Sequence, residues 1–367
     1  MNYIRIAVDA RMIRNSGIGT VLANVLGAWI DKQENFFFYL LGDPEILTCY
    51  NWSSSSSVMV VPCLAPIYSI REQMAVPFCI PNDADILWVP HYNIPLFYGG
   101  KMLVTVHDVF HLDMPQLVPG LHRRMYARLM FKAVTHKADR IVCVSEFTRK
   151  RLQYFEPQLP PEKLIVAVNG IDPFWSQSHA AQERPYGKPY MLFVGNIKPN
   201  KNLKRLMKAF CMVKEQIPHD LIIVGKKEGF IIGDREVMEA ASAMGERVFF
   251  TGRIDDDALR NYYRFADLFV FPSLYEGFGL PPMEALAAGC HRLLLSDIPV
   301  LREIYHDLAT FADPYSAEAL AEGMLSCPKK PPVSAKQVDS LMQRHNWQQV
   351  VQKMESMVTQ VVSDTSL

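Results

Sequence analysis

Residues Pro272–Gly289 read PSLYEGFGLPPMEALAAG, and the reading of this stretch decides the fold. It continues an apolar run, Ala266–Pro272 (ADLFVFP), and leads into a small-residue helix, Met283–Ala288, so the order is strand, tight loop, helix start. Glu276 and Glu284 flank a turn of Gly277, Phe278, Gly279 and Leu280, followed by Pro281 and Pro282. The first N–H groups of a helix lack intrahelical partners, and the helix dipole favours an anion there. Glycines let a ligand come close to the main chain. Two carboxylates would repel a phosphate, but they suit hydroxyls on a ribose or a sugar ring. A phosphate cradle beside two hydroxyl-reading carboxylates is built for a sugar nucleotide. Two glutamates at a helix start could equally be plain complements to the dipole, so the rest of the chain has to decide.

Working outward, short apolar runs alternate with helical periodicity along all 367 residues, the pattern of βαβ units and parallel sheets. Strands are expected at Ile4–Val8, Phe37–Leu41, Val58–Val61, Ile86–Val89, Leu103–Val106, Ile141–Val144 and Leu164–Val166, with Gly19–Asp31 and Leu121–Lys137 the clearest helices between them. A polar, proline-containing stretch, Asp172–Pro189, interrupts the pattern. A second series follows: strands Tyr190–Val194, Leu221–Val224, Val248–Phe250, Leu268–Phe271 and Arg292–Ser296, with helices Leu203–Ile217, Arg235–Met244 and Asp256–Ala266. The expectation is two doubly wound α/β domains facing across a cleft. The first spans 1–172, a linker 173–189, and the second 190–340. A last helix lies in 341–367 and reads as Trp347–Val362.

Composition narrows the class. Net charge is zero and 49% of residues are apolar, enough for a core in each domain. Seven scattered cysteines read as buried free thiols in a reducing compartment, and histidines and cysteines do not cluster at zinc-ligand spacing. The N-terminus MNYIRIAVDA reads as a strand rather than a signal peptide, and no apolar run is long enough to span a bilayer. A cytoplasmic protein is expected, and the basic segment 122–151, nine Lys or Arg against two acids, offers it peripheral contact with the inner face of a membrane.

Other loops sit where strands end. DARMIRNSGIGT, Asp9–Thr20, brings Gly17 and Gly19 to a βα turn, with Arg11 and Arg14 adding positive charge. VTVHDVFHLDMP, Val104–Pro115, places His107 and Asp108 at the carboxyl end of a strand, where open parallel sheets bind ligands. Ser145 follows a strand at an N-cap position. FVGNIKPNKNL, Phe193–Leu203, presents Gly195, Asn196, Lys198 and Lys201, and its two lysines are the cations a departing diphosphate needs.

Together these strings resemble, in order and over nearly the whole chain, the retaining GT-B glycosyltransferases of glycosyltransferase family 4. Pro272–Gly289 is similar to that family's pair of glutamates eight residues apart, and VTVHDVF to its His-Asp motif. The resemblance implies that His107 lies against the transferred sugar. Glu276 and the backbone of Gly277–Leu280 would hold the donor sugar and phosphates, and Glu284 the ribose hydroxyls. Arg253 and Ile254, in FTGRIDDDAL, would meet the base. Gly17, Gly19, Gly195, Asn196, Lys198 and Lys201 complete the donor side, and Arg14, Asp108 and Ser145 stand on the acceptor side. His107, Glu276 and Lys201 are the catalytic candidates. Two departures stand out: Asn200 occupies the family's usual arginine position, and His291 and Arg292 replace an apolar Pro-Val.

The wording of the motifs looks closest to bacterial surface-polysaccharide mannosyltransferases. That implies a nucleotide-sugar donor, most readily GDP-mannose, a glycan or lipid-linked glycan acceptor, and neither a cofactor nor a metal. A family 4 transferase using a UDP- or dTDP-sugar is the alternative. A GT-B sugar-nucleotide epimerase and a non-catalytic scaffold subunit are readings of another class. Nucleic acid is not expected as a partner.

Overall fold

A computed structural model describes residues 3–32, 35–177, 183–225 and 245–364. The chain divides into two compact units, one of residues 1–170 with 345–367 and the other of residues 171–344.

The first unit is built on seven parallel strands: β1 (Ile4–Asp9), β2 (Phe36–Gly42), β3 (Val58–Pro62), β4 (Ile86–Val89), β5 (Met102–Val106), β6 (Arg140–Cys143) and β7 (Leu164–Val166). Their order is β3-β2-β1-β4-β5-β6-β7. Strands β4 and β5 are buried at every residue, as parallel strands covered on both faces must be, which is why they read as unbroken apolar runs. The order reverses at β1, where Ile6 pairs with Phe38 on one side and Ile86 on the other. The loops leaving β1, β4 and β5 at their carboxyl ends therefore carry Arg11, His91 and His107 to the switch point where such sheets bind ligands. The helix Trp347–Ser363 returns to this unit. Its stripe of Val350, Val351, Met354, Val358 and Val361 is buried, and Lys32 pairs with Glu355 at 2.6 Å. The Lys101 ammonium donates to the carbonyls of Val361, Val362 and Asp364, which neutralises the helix C-terminus.

The second unit repeats the plan with β8 (Tyr190–Val194), β9 (Asp220–Val224), β10 (Val248–Gly252), β11 (Leu268–Phe271), β12 (Leu293–Ser296) and β13 (Thr310–Ala312), ordered β10-β9-β8-β11-β12-β13. Its switch point lies between β8 and β11, so the loops after Val194 and Phe271 emerge side by side. The core beneath them joins Phe193, Leu206, Phe210, Ile223 and Val270.

Three differences from the sequence reading have physical causes. Strand β13 is not among the expected strands, because this edge strand, Thr-Phe-Ala, is only partly buried and offers no apolar run, unlike the equally short Leu164–Val166. The stretch 173–189 was read as a linker, but it opens with a turn of 3-10 helix, Pro173–Ser176, whose buried Trp175 packs edge-on against Tyr263 of the second unit. The thiols are all unpaired, as expected, but Cys49 and Cys211 are exposed rather than buried. The helix expected at Arg235–Met244 lies outside the described residues.

Candidate functional site

On the second unit the turn after β11 is fixed from several sides. Gly279 has φ +97°, and a Cβ there would lie 2.8 Å from Leu301 Cδ2, so only glycine fits. The Tyr305 hydroxyl donates to the Gly279 carbonyl. The helix then runs Leu280–Ala288, three residues earlier than read, with its prolines in the first turn. Pro281 and Pro282 carry no N–H, so amide donors for an anion are confined to the turn ending at Leu280. Gly277, Phe278 and Gly279 are buried, whereas Glu276 and Leu280 are partly open.

Lys201 reaches this turn. Its ammonium donates to Glu276 Oε1 at 2.5 Å and lies 5.0 Å from the centre of the Phe271 ring. Neither side chain is more than 16% exposed, which shields the pair from salt far better than a surface bridge. Lys201 is placed by a 3-10 turn, Pro199–Lys201, and by Asn202, a left-handed residue with φ +59°. The buried Asn202 amide donates to the carbonyls of Pro272 (2.9 Å) and Pro314 (2.7 Å). Asn200, at the family's arginine position, stitches the same two loops: its carbonyl accepts from Leu274 N at 2.7 Å and its amide donates to Tyr275 O at 3.4 Å. Lys198 is exposed and Asn196 partly buried. Gly195 abuts a glycine that the sequence reading passed over, since a Cβ on Gly225 would lie 2.1 Å from the Gly195 carbonyl oxygen.

One helical turn on, Glu284 accepts from the Tyr263 hydroxyl at 2.9 Å. Burial pushes its carboxyl up to about 7; the Tyr263 hydroxyl pulls the other way, and Asp256 and Asp172 push it further up. Arg253 is exposed and Ile254 half-buried at the start of the Asp256–Arg264 helix, which Asp255 caps. The unit thus brings Lys201, Glu276 and the Gly279 turn together, with Glu284 on the same helix start.

On the first unit, His107 follows β5 and its Nε2 donates to the Pro90 carbonyl at 2.9 Å, so that nitrogen carries the proton and Nδ1 is left as an acceptor. Burial lowers its pKa, against the pull of the Pro90 carbonyl and Asp108, so the ring is neutral near pH 7. Asp108 accepts from Phe110 N at 2.9 Å and so shapes the loop beyond. Beside them His91 is buried and pushed down to about 3, first by burial and then by His107 and His111.

Three residues of this unit have roles within the fold, Ser145 at the N-cap that its sequence position already suggests. Ser145, expected on the acceptor side, is fully buried and its oxygen caps the Glu146–Phe155 helix through Thr148 N at 3.0 Å. Arg11 is no spare cation: it donates to Asp9 at 2.6 Å and to Glu72 at 3.1 Å and is almost wholly buried. Burial works against its charge, but the two carboxylates outweigh burial and raise its pKa. Gly19 is buried because a Cβ would meet the Ile13 carbonyl at 2.2 Å, a packing need; Gly17, at φ +78°, is exposed with open space around it, and Arg14 is exposed beside it.

In comparison with known proteins, residues 176–347 match the family model described as glycosyl transferases group 1, and residues 57–174 match the one for glycosyltransferase family 4. O-antigen chain mannosyltransferase B of Escherichia coli is 26% identical over 280 residues, 72% of this chain and 71% of that protein. O-antigen chain mannosyltransferase RfbU of Salmonella typhimurium is 24% identical, over 77% of this chain and 75% of the relative. Among solved structures, Anabaena Alr3699/HepE in complex with UDP-glucose superposes with a TM-score of 0.74 at 15% identity, covering 98% of this chain and all of that one.

Proposed function

Because the chain belongs to the GT-B glycosyltransferases of family 4, we propose that it transfers mannose from GDP-mannose to a hydroxyl of a growing surface glycan, with the anomeric configuration retained. The observation that carries this reading is the Lys201–Glu276 pair at the Gly279 turn. It sets a shielded cation and a hydroxyl acceptor 2.5 Å apart beside main-chain donors. A departing diphosphate gathers negative charge, and a preorganised ammonium stabilises that charge in the transition state. Glu276 takes a hydroxyl of the donor sugar and Glu284 takes the ribose diol. His107 is a neutral ring held by Pro90 whose Nδ1 can accept from a sugar hydroxyl and orient it, and the proposed retaining chemistry asks no general base of it. The leaving diphosphate accepts the acceptor's proton on the face it departs from, so no protein base is needed and no metal is assigned.

Mannose is supported by the names of the relatives, two of them mannosyltransferases of O-antigen chains. Those names also support a glycan acceptor, which we place on a lipid carrier at the cytoplasmic membrane face. The guanine base is our choice on the likeness of the motifs to mannosyltransferases, with a UDP- or dTDP-sugar as the alternative. A thermal-shift titration with GDP, UDP, dTDP and their common sugars, with and without EDTA, tests the reading. Stabilisation by GDP and GDP-mannose alone, unchanged by EDTA, is expected. Stabilisation by UDP or dTDP would keep the transferase and discard the guanine donor; no response to any nucleotide would sink the donor-site assignment.

A further inference from the structure

Most of the large apolar side chains exposed among the described residues fall between Leu64 and Leu129, on one unit. They lie on two helices with an unusual division of faces. In the helix Ile70–Cys79 the inward face is largely polar: beside the buried Val76, Glu72 is buried against Arg11 and Asn93, and Gln73 accepts from Leu96 N. Its outward face carries Ile70 (91% exposed), Met74 and Phe78 (84% exposed), each one turn from the next. The helix Leu121–Lys137 buries Ala127, Met130, Phe131 and Val134, and leaves Leu121 (68% exposed), Met125 and Leu129 outside at the same spacing.

Contacts hold the two helices to one region. The Tyr68 and Tyr126 rings are 6.3 Å apart. Asn93 donates to Glu72 and accepts from Tyr126, and Lys137 donates to the Leu96 carbonyl, so residues 93–96 bridge both helices. Phe97, 69% exposed, continues the apolar surface between them. A folded protein does not gather this much apolar surface outward without something to cover it.

Charge identifies the cover. Arg71, Arg123, Arg128 and Lys132 are exposed on these helices and take part in no ion pair among the described residues. The only acid in the first helix is the buried Glu72, and the second has none. Elsewhere in the basic segment Arg149 pairs with Glu146, and Arg151 with Asp113 at 2.7 Å. Apolar stripes edged by unpaired cations fit the boundary of an anionic bilayer, where the side chains enter the acyl region and the cations meet lipid phosphates.

We infer that this two-helix face is an anionic-membrane docking surface, with Ile70, Phe78, Leu121 and Met125 inserting. The inference deepens the reading above by naming where the chain meets the membrane that carries its acceptor, and rests on that reading only for why a membrane should matter.

Vesicle co-sedimentation tests it, with phosphatidylglycerol mixed into phosphatidylcholine and with phosphatidylcholine alone. The full-length protein should sediment with the anionic vesicles, release in high salt, and ignore the neutral ones. Ile70→Ser with Phe78→Ser, or Leu121→Ser with Met125→Ser, should weaken that binding about tenfold or more. Arg128→Glu with Lys132→Glu should remove it, and Lys150→Glu, outside the face, should not. Unchanged binding in the serine variants, or none by the wild-type chain, overturns the inference. So does a dimer in solution that the same variants dissolve, which would make the face a contact between copies. Nucleotide thermal shifts on every variant report the donor site separately, so failure there leaves the vesicle result standing.

Discussion

Each unit holds a glutamate whose pKa burial raises, Glu72 buried and Glu284 half-buried, and the two differ in what holds them. Glu72 is met by Arg11 at 3.1 Å and by the Asn93 amide at 2.9 Å, with Asp9 sharing the arginine. Glu284 has one donor among the described residues, the Tyr263 hydroxyl, and Asp256 and Asp172 push it towards its proton. The first arrangement is finished: one guanidinium serves both carboxylates, and the Asn93 amide completes Glu72. The second is incomplete in the way a binding group should be, since two hydroxyls of a ribose would supply the missing donors. A buried carboxylate with its own arginine maintains structure; one with a lone tyrosine awaits a partner.

The largest effect should come from breaking the finished side. Arg11→Met leaves Asp9 and Glu72 buried without a cation, a loss of about 3–5 kcal/mol. Thermal unfolding should show it as a large drop in Tm, and a drop below about 1 kcal/mol would mean the triad is not what holds the β1 loop. Lys201→Ala should act the other way round. It removes a transition-state cation, so kcat/KM should fall by about 10²–10³ while Tm changes little. Equal losses in stability and in turnover would make Lys201 a structural residue.

The legibility of the chain follows the same division. Strands such as Ile86–Val89, Tyr190–Val194 and Leu268–Phe271 could be read to the residue, because a strand buried on both faces must be a continuous apolar run. The residues of the Gly279 turn are singled out in the sequence because chemistry limits what could hold a diphosphate and a diol, and the structure brings Lys201 to Glu276 there. What could not be read is who holds whom. Asn202 serves the turn through Pro272 and Pro314, 70 and 112 residues away, and Gly225 matters only because Gly195 passes against it. Arg11 reads in the sequence as positive charge on the glycine loop, but Asp9 and, 61 residues on, Glu72 take that charge. The helix Ile70–Cys79 gives a misleading pattern altogether, since its apolar face is the outward one.

Glu284 sharpens the comparison through pH. Its folded pKa of about 7 lies above the ordinary 4.5, so its proton is held more tightly in the folded state. The stability it contributes is whole below about pH 4.5 and is lost as pH rises through 7, at most on the order of 3–4 kcal/mol. A ribose diol donates to the ionised form and so favours it. Nucleotide affinity, and the nucleotide's lift in Tm, should therefore rise between pH 5 and 8, and binding below 7 should release a proton. Glu284→Gln should flatten that rise and cost about 1.5–3 kcal/mol of affinity at pH 8. A pH profile that survives the substitution would assign the titration to another group, Asp256 being the nearest candidate because burial, and then Asp255, raise it as well.

The smallest effect isolates the tyrosine itself. Tyr263 is completely buried, its hydroxyl donates to Glu284 at 2.9 Å, and its ring packs on Trp175 and Phe269, so Tyr263→Phe keeps the packing and deletes one donor. Without that donor the carboxylate is harder to ionise, and the midpoint of the affinity-versus-pH curve should move upward, by less than one unit for a hydrogen bond worth about 1 kcal/mol. The affinity plateau at high pH should fall only slightly, because the diol still reaches the carboxylate. A downward shift would show that the tyrosine holds the protonated form, and Glu284 would then belong with Glu72, as a group already satisfied within the fold.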